Sequence, residues 1–207
     1  MVSYPRKHCV VRNYRRATFG TFYGRRTIDR LISDDKMTWG RFAEMFETSP
    51  HGIVHTQVGG PGGDLSDMAS PNDPLFWVHH SMVDYIWMER QIVTGRQNAF
   101  GGTHRGRRAT SKDILKPFRV TVEDTFNYES LCYTYQPFSG WAQAAPAALS
   151  AGASEVGDSG DHELPDPLPD SWIEMHGWSR DRVAEIEAAL KDLELKPIVK
   201  GEKVKGE

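Results

Sequence analysis

The string Asn72-Asp73-Pro74-Leu75-Phe76-Trp77-Val78-His79-His80-Ser81-Met82-Val83-Asp84 constrains this chain more than any other. Asp73 suits a helix N-cap, because its carboxylate accepts an orphan N–H of the first turn. Pro74 suits the first helical position, where no N–H is needed. Apolar residues continue through Trp87, so the string predicts a helix from 74 onward. Phe76, Trp77 and Trp87 read as core. Two adjacent histidines inside an apolar helix are harder to place, since each buried imidazole needs a hydrogen-bond partner or a metal. Neighbours on a helix point about 100° apart, so only one of His79 and His80 faces a given site. Asp84 follows His80 by one turn and lies on its face. From there it is expected to hold the helix, or to brace a ligand ring from behind.

A second histidine pair lies upstream. His51 and His55 are four residues apart, so both rings lie on one helical face and can converge on a metal ion. Alone, this spacing is weak and is more often a surface or structural feature. Together with His79-His80 it predicts a site of three neutral imidazoles, a donor set that suits copper or zinc. Spacing does not choose between them.

The rest of the chain reads as a mostly helical block followed by a tail. Hydrophobic residues make up 39% and charged residues 26% of the 207, a globular composition. No apolar run is long enough to span a bilayer, and Met1 to Val10 lacks the apolar core of a secretory leader. The net charge of −3 excludes a strongly basic nucleic-acid binder. Arg96, Arg105, Arg107 and Arg108 form a basic Gly-rich stretch without interleaved aromatics, expected to be a mobile loop. Val10 to Tyr14 reads as a strand or extended arm, and Thr27 to Ile32 as one or two helical turns. Thr38 caps a helix carrying Trp39, Phe42 and Phe46, and Ser49-Pro50 opens another. Phe118 to Val122 and Tyr133 to Tyr135 read as short strands. Residues 136–170 are rich in Ala, Gly, Pro and Asp and read as a linker. Residues 171–207 read as a helical tail with Val183, Ile186, Leu190 and Leu193 on one face, expected to dock on the main block or on a partner.

Residues 47–91 resemble the second copper-binding half (CuB) of the type 3 copper proteins, a family of tyrosinases, catechol oxidases and molluscan haemocyanins. Asp73 to Asp84 carries the resemblance at every defining position of that motif. Ser49-Pro50-His51-Gly52-Ile53-Val54-His55, followed by Val58-Gly59-Gly60, matches as well. Weaker echoes at Cys9 to Tyr14 and Tyr133-Thr134-Tyr135 extend the resemblance over roughly 9–135. It implies a mainly α fold: the helical-bundle part of a di-copper domain, CuB half only, with few short strands and a C-terminal extension. The domain limits that follow are 1–135 for the copper-binding region, cut short at its N-terminus, 136–170 for the linker and 171–207 for the tail.

Carried over residue by residue, the resemblance makes His51, His55 and His80 the copper ligands and gives His79 a structural role. Glu47 looks like the family's acid that holds a water and helps take the proton from a phenol, with a solvated helix-end carboxylate as the bland reading. The family's Asn after the first ligand is Gly52 here, which places monophenol hydroxylation in doubt more than diphenol oxidation. Gly52 and Thr56 are expected to line the substrate pocket. The implied chemistry is oxidation of phenols or o-diphenols to o-quinones with O2, by two coppers held by three histidines each. Phenol and O2 are then the expected partners, with no nucleic acid and no membrane.

One half of that pair is missing. Only His8 precedes His51, and His104, His162 and His176 lack ligand-like spacing, so no CuA trio is encoded. Three expectations compete: a fragment of a longer oxidase, a shortened relative with one metal, or a homodimer that brings two CuB halves face to face. Each leaves an apolar CuA-facing surface to be covered, and the helix from Ser179 to Leu193 is a candidate cover. A copper-binding but inactive module and a haemocyanin-like oxygen carrier are the alternative functions. A three-histidine zinc hydrolase lacks its HExxH-like string. Cys9 and Cys132 flank the matched region, either as a disulfide of the kind found in extracellular relatives or as two buried thiols.

Overall fold

In the computed structural model the described residues are 8–14, 21–104, 106–136 and 164–195. They form a mainly α-helical molecule. Helix α1 spans Arg25–Ser33, α2 Trp39–Phe46, α3 Gly52–Gly59 and α4 Pro74–Thr94. Two C-terminal helices follow, α5 at Asp170–His176 and α6 at Arg180–Leu195. Strand is confined to two antiparallel two-residue ladders, β1 Thr103–His104 with β2 Arg107–Arg108, and β3 Ile114–Leu115 with β4 Val120–Thr121.

Two expected caps form. The Thr38 hydroxyl accepts from Arg41 N at 3.2 Å, and the Asp73 carboxylate accepts from Leu75 N at 2.9 Å. Ser49-Pro50, in contrast, does not start a helix. The chain runs from α2 through a π turn, Glu47–His51, directly into α3. Pro50 lacks an N–H and its ring crowds the preceding turn; widening that turn by one residue relieves both.

One core cluster joins Ile28, Leu31 and Ile32 of α1, Phe42, Met45 and Phe46 of α2, Ile86 and Met88 of α4, and Ile186 and Leu190 of α6. A second, smaller cluster gathers Ile53 of α3 with Leu168, Trp172, Ile173 and Val183. The C-terminal helices therefore complete the interior instead of trailing from it. Arg182 pairs with Glu44 and Arg41 with Glu185, fixing α6 on α2. Most of the expected linker, and His162 with it, lies outside the described residues.

The N-terminal segment is an arm without strand pairing. Asn13 N donates to Gly59 O at 2.7 Å, and Asp64 N to Val11 O at 2.9 Å. Arg12 forks onto Asp73 with two 2.7 Å bonds, so the arm clamps the residue that caps α4. Gly60 has φ +66°, and a Cβ there would overlap Asn13 O.

Several expectations are corrected. Trp77 is 63% exposed, because it points away from the face that packs on α1 and α2. Phe76 and Trp87 are half-buried, Trp87 against the main core. The basic stretch carries β1 and β2, and Arg107 pairs with Asp113. Phe118 is exposed and lies outside the short strand β4, and residues 133–136 form no strand. Cys9 and Cys132 are exposed free thiols, neither bridged nor buried.

Candidate metal centre

The π turn and α3 present His51 and His55 on one side, and α4 presents His80 opposite. Their Nε2 atoms lie 3.0 Å (His51–His55), 3.4 Å (His51–His80) and 3.3 Å (His55–His80) apart. Metal–nitrogen bonds of about 2.0–2.1 Å at tetrahedral angles put ligand nitrogens about 3.3–3.4 Å apart. The triangle of nitrogens has the size such a metal requires.

The outer edges of the rings explain why the nitrogens face inward. His51 Nδ1–H donates to Glu47 O at 3.1 Å, and His55 Nδ1–H donates to Leu65 O at 2.8 Å. With each ring proton engaged there, both Nε2 atoms carry lone pairs. Lone pairs that face one another at 3.0 Å repel unless a cation lies between them, so the donor set fits a bound metal ion. Burial drives the imidazoles toward the neutral form a metal requires: His51 is pushed down to about 3, His55 to about 4, and His80 is lowered too.

His79 lies in the same cluster. One of its ring nitrogens, with those of His51 and His55, falls within a 4.8 Å group that could itself hold a metal. We favour His80 in the trio, because His79 Nε2 is engaged with His51 O at 3.2 Å. The His79 ring stacks on His51, with centroids 5.2 Å apart and planes 8° from parallel, tying α4 to the start of α3. Phe76 stacks on His80 at 4.0 Å.

The remaining candidates are dispersed. Asp84 does not brace a ligand ring; its Oδ2 accepts the hydroxyls of Tyr133 at 2.8 Å and Tyr135 at 2.7 Å, fastening α4 to the segment after β4. Thr56 is buried and its hydroxyl turns back to Ile53 O. Gly52 is buried beneath Trp172 and Leu168, so neither residue opens onto a free pocket. Glu47 begins the π turn. Its side chain is exposed by area yet crowded by surrounding protein, and this desolvation raises its carboxyl against the opposing pull of His176.

Sequence reasoning missed the C-terminal contribution. Trp172 stacks on His55 with centroids 5.2 Å apart, His176 packs on Trp172 at 4.3 Å, and Trp178 on His176 at 4.6 Å. The available signal was an i, i+4 Trp–His pair, Trp172 and His176, in the tail.

Residues 3–92 match the family profile described as the common central domain of tyrosinase. This segment is similar to the type 3 copper family. The type 3 copper likeness extends to a tyrosinase, HcTyr1, of Hahella sp. (strain CCB-MM4), 31% identical over 111 residues, covering 53% of this chain and 23% of that protein. Hemocyanin 1 of Megathura crenulata is 31% identical over 130 residues, 54% of this chain and 4% of its own length. A Streptomyces glaucescens tyrosinase is 49% identical over 41 residues, 20% of this chain and 14% of its own. The chain thus spans less than a quarter of each of these type 3 copper relatives. No solved structure gives a significant match.

Proposed function

We propose that this chain supplies the CuB site of a copper-dependent oxidase of phenols or o-diphenols, with His51, His55 and His80 as the ligands. The convergence of three Nε2 atoms within 3.4 Å, two of them carrying lone pairs, carries this reading. Copper bound there, paired with a second copper, would supply the reactivity with O2 that turns an o-diphenol into an o-quinone. The chain's own residues do the rest. Hydrogen bonds to Glu47 O and Leu65 O orient two rings, His79 holds the two ligand helices together, and Phe76 flanks His80. Glu47, one helical turn before His51 and with its carboxyl raised by desolvation, is the candidate to accept a phenolic proton.

The second copper requires three further histidines, and residues 1–135 are read as the copper-binding region without them. Leu75, Val78 and Met82 form an exposed apolar stripe along α4, and Trp77 is exposed on an adjoining side. Met82 also lines an apolar groove of about 400 Å³ between α1, α3 and α4, with Phe22, Phe46, Val54 and Val83. We assign this surface to the CuA half, carried elsewhere in the polypeptide or by a second copy. The presence of one trio among the described residues favours, as second reading, a copper-binding module without oxidase activity of its own.

Copper per chain, measured by elemental analysis with zinc as competitor, tests the assignment. About one copper, lost in His80→Ala and kept in His79→Ala, is expected. The reverse pattern overturns the ligand set. Oxygen uptake with catechol then separates the oxidase from the inactive module.

A further inference from the structure

Trp172 belongs to α5, far along the chain from the ligand helices, yet its indole stacks on His55, with ring planes 29° from parallel. Trp172 is 4% exposed and His55 2%. Its Nε1–H is buried without a hydrogen-bond partner among the described residues. That atom lies 3.2 Å from where a Cβ on Gly52 would stand, and Leu168 Cδ2 lies 3.3 Å from the same point. The absent side chain beside the first ligand is thus the space into which α5 is packed. His55 is restrained by the hydrogen bond to Leu65 O, an edge contact with Phe76 and the indole face. A hydrogen bond alone fixes a point on the ring; the stacked face fixes its plane.

We propose that Trp172 is a positioning residue for His55, so that docking of the α5–α6 pair and metal binding at His51, His55 and His80 are coupled. This rests on the reading of that trio as a metal site. The coupling is reciprocal: a tail that orders the ring strengthens metal binding, and the metal holds the tail down by the same factor.

The test uses the full chain and copper(II) alone. Trp172→Ala should weaken copper binding, measured by chelator competition, by about tenfold or more, in the range found when partners of metal ligands are removed. Its copper EPR spectrum should change, and Trp172→Phe, which keeps an aromatic face, should restore most of both. Phe126→Leu loosens the Phe100–Phe126 contact, away from the trio and from α5–α6, and should leave the affinity and spectrum of the folded protein unchanged. Copper should slow amide hydrogen exchange in α5 and α6 of the wild type, and not in Trp172→Ala. A folded Trp172→Ala protein with wild-type affinity and spectrum overturns the proposal. If that variant does not fold, Gly52→Ala decides, because its Cβ displaces the indole by a few tenths of an ångström. A several-fold loss of affinity is then expected, and no change overturns the proposal. If His80→Ala binds copper like the wild type, the trio reading itself fails, and the proposal with it.

Discussion

A histidine that offers a lone pair to a metal has to be neutral and correctly turned, and at His51 and His55 one backbone hydrogen bond serves both needs. Burial makes the charged forms costly. The folded pKa values of His51, His55 and His79, about 3, 4 and 4, lie below the unfolded value of about 6.5. Above that value these groups are neutral in both states and contribute nothing to a pH dependence. As pH falls below it, the unfolded chain takes up protons the folded one refuses, so the metal-free protein loses stability. The slope is up to about 1.4 kcal/mol per pH unit for each histidine. Melting temperatures of the metal-free protein should therefore fall steeply from pH 6.5 to 4.5, and a flat profile would show that the cluster relaxes on protonation. Gly52 carries a second prediction at this scale. Gly52→Asn must displace Trp172, so it should lower stability by about 1–3 kcal/mol, as overpacking does. Chemical denaturation measures this, and a neutral result would show that α5 yields easily.

Among the elements, α4 depends on a plug at its far end. The buried Arg90 guanidinium donates to the carbonyls of Leu31, Ile32, Asp34 and Met37, covering the C-terminal end of α1, and lies 4.6 Å over the Phe42 ring. Arg90→Met keeps much of the stem but strands these carbonyls, and should cost roughly 2–4 kcal/mol. Urea denaturation checks this; a loss under about 1 kcal/mol would mean that water replaces the guanidinium. The start of α4 was legible because Asp73 and Pro74 are local signals whose chemistry is complete within a few residues. The turn around Pro50 was not. Ser-Pro usually opens a helix, and only the packing of α2 on α1 and α4 makes a widened, continuous turn the better solution. The histidine cluster was readable from spacing and resemblance. Trp172 was not, because the local Trp–His pair does not reveal which distant residue it stacks on, and the partners of Asp84, Tyr133 and Tyr135, are distant in the same way.

At the scale of the molecule, α4 carries an exposed apolar stripe, with Val78 68% exposed and Trp77 63% exposed on the adjoining side. Patches of this kind mark contact surfaces or promote association. Trp77→Gln combined with Val78→Lys should reduce self-association in sedimentation velocity while leaving copper affinity unchanged. Equal association of the double variant and the parent would show that the stripe is not the contact. Residue-level chemistry made the helices and histidines readable in advance, but which faces stay bare depends on the whole arrangement.

The completion of the core by α5 and α6 also has a consequence for synthesis. About 75 residues separate the end of α4 from Leu168, and at about 5–20 residues per second a ribosome needs roughly 4–15 s to make them. During that interval Ile53 and the Trp172-facing side of His55 have emerged without their partners. The nascent chain therefore waits, partly assembled and adhesive, for its own last helices, and a chaperone that shields α3 during those seconds would raise the yield of folded protein.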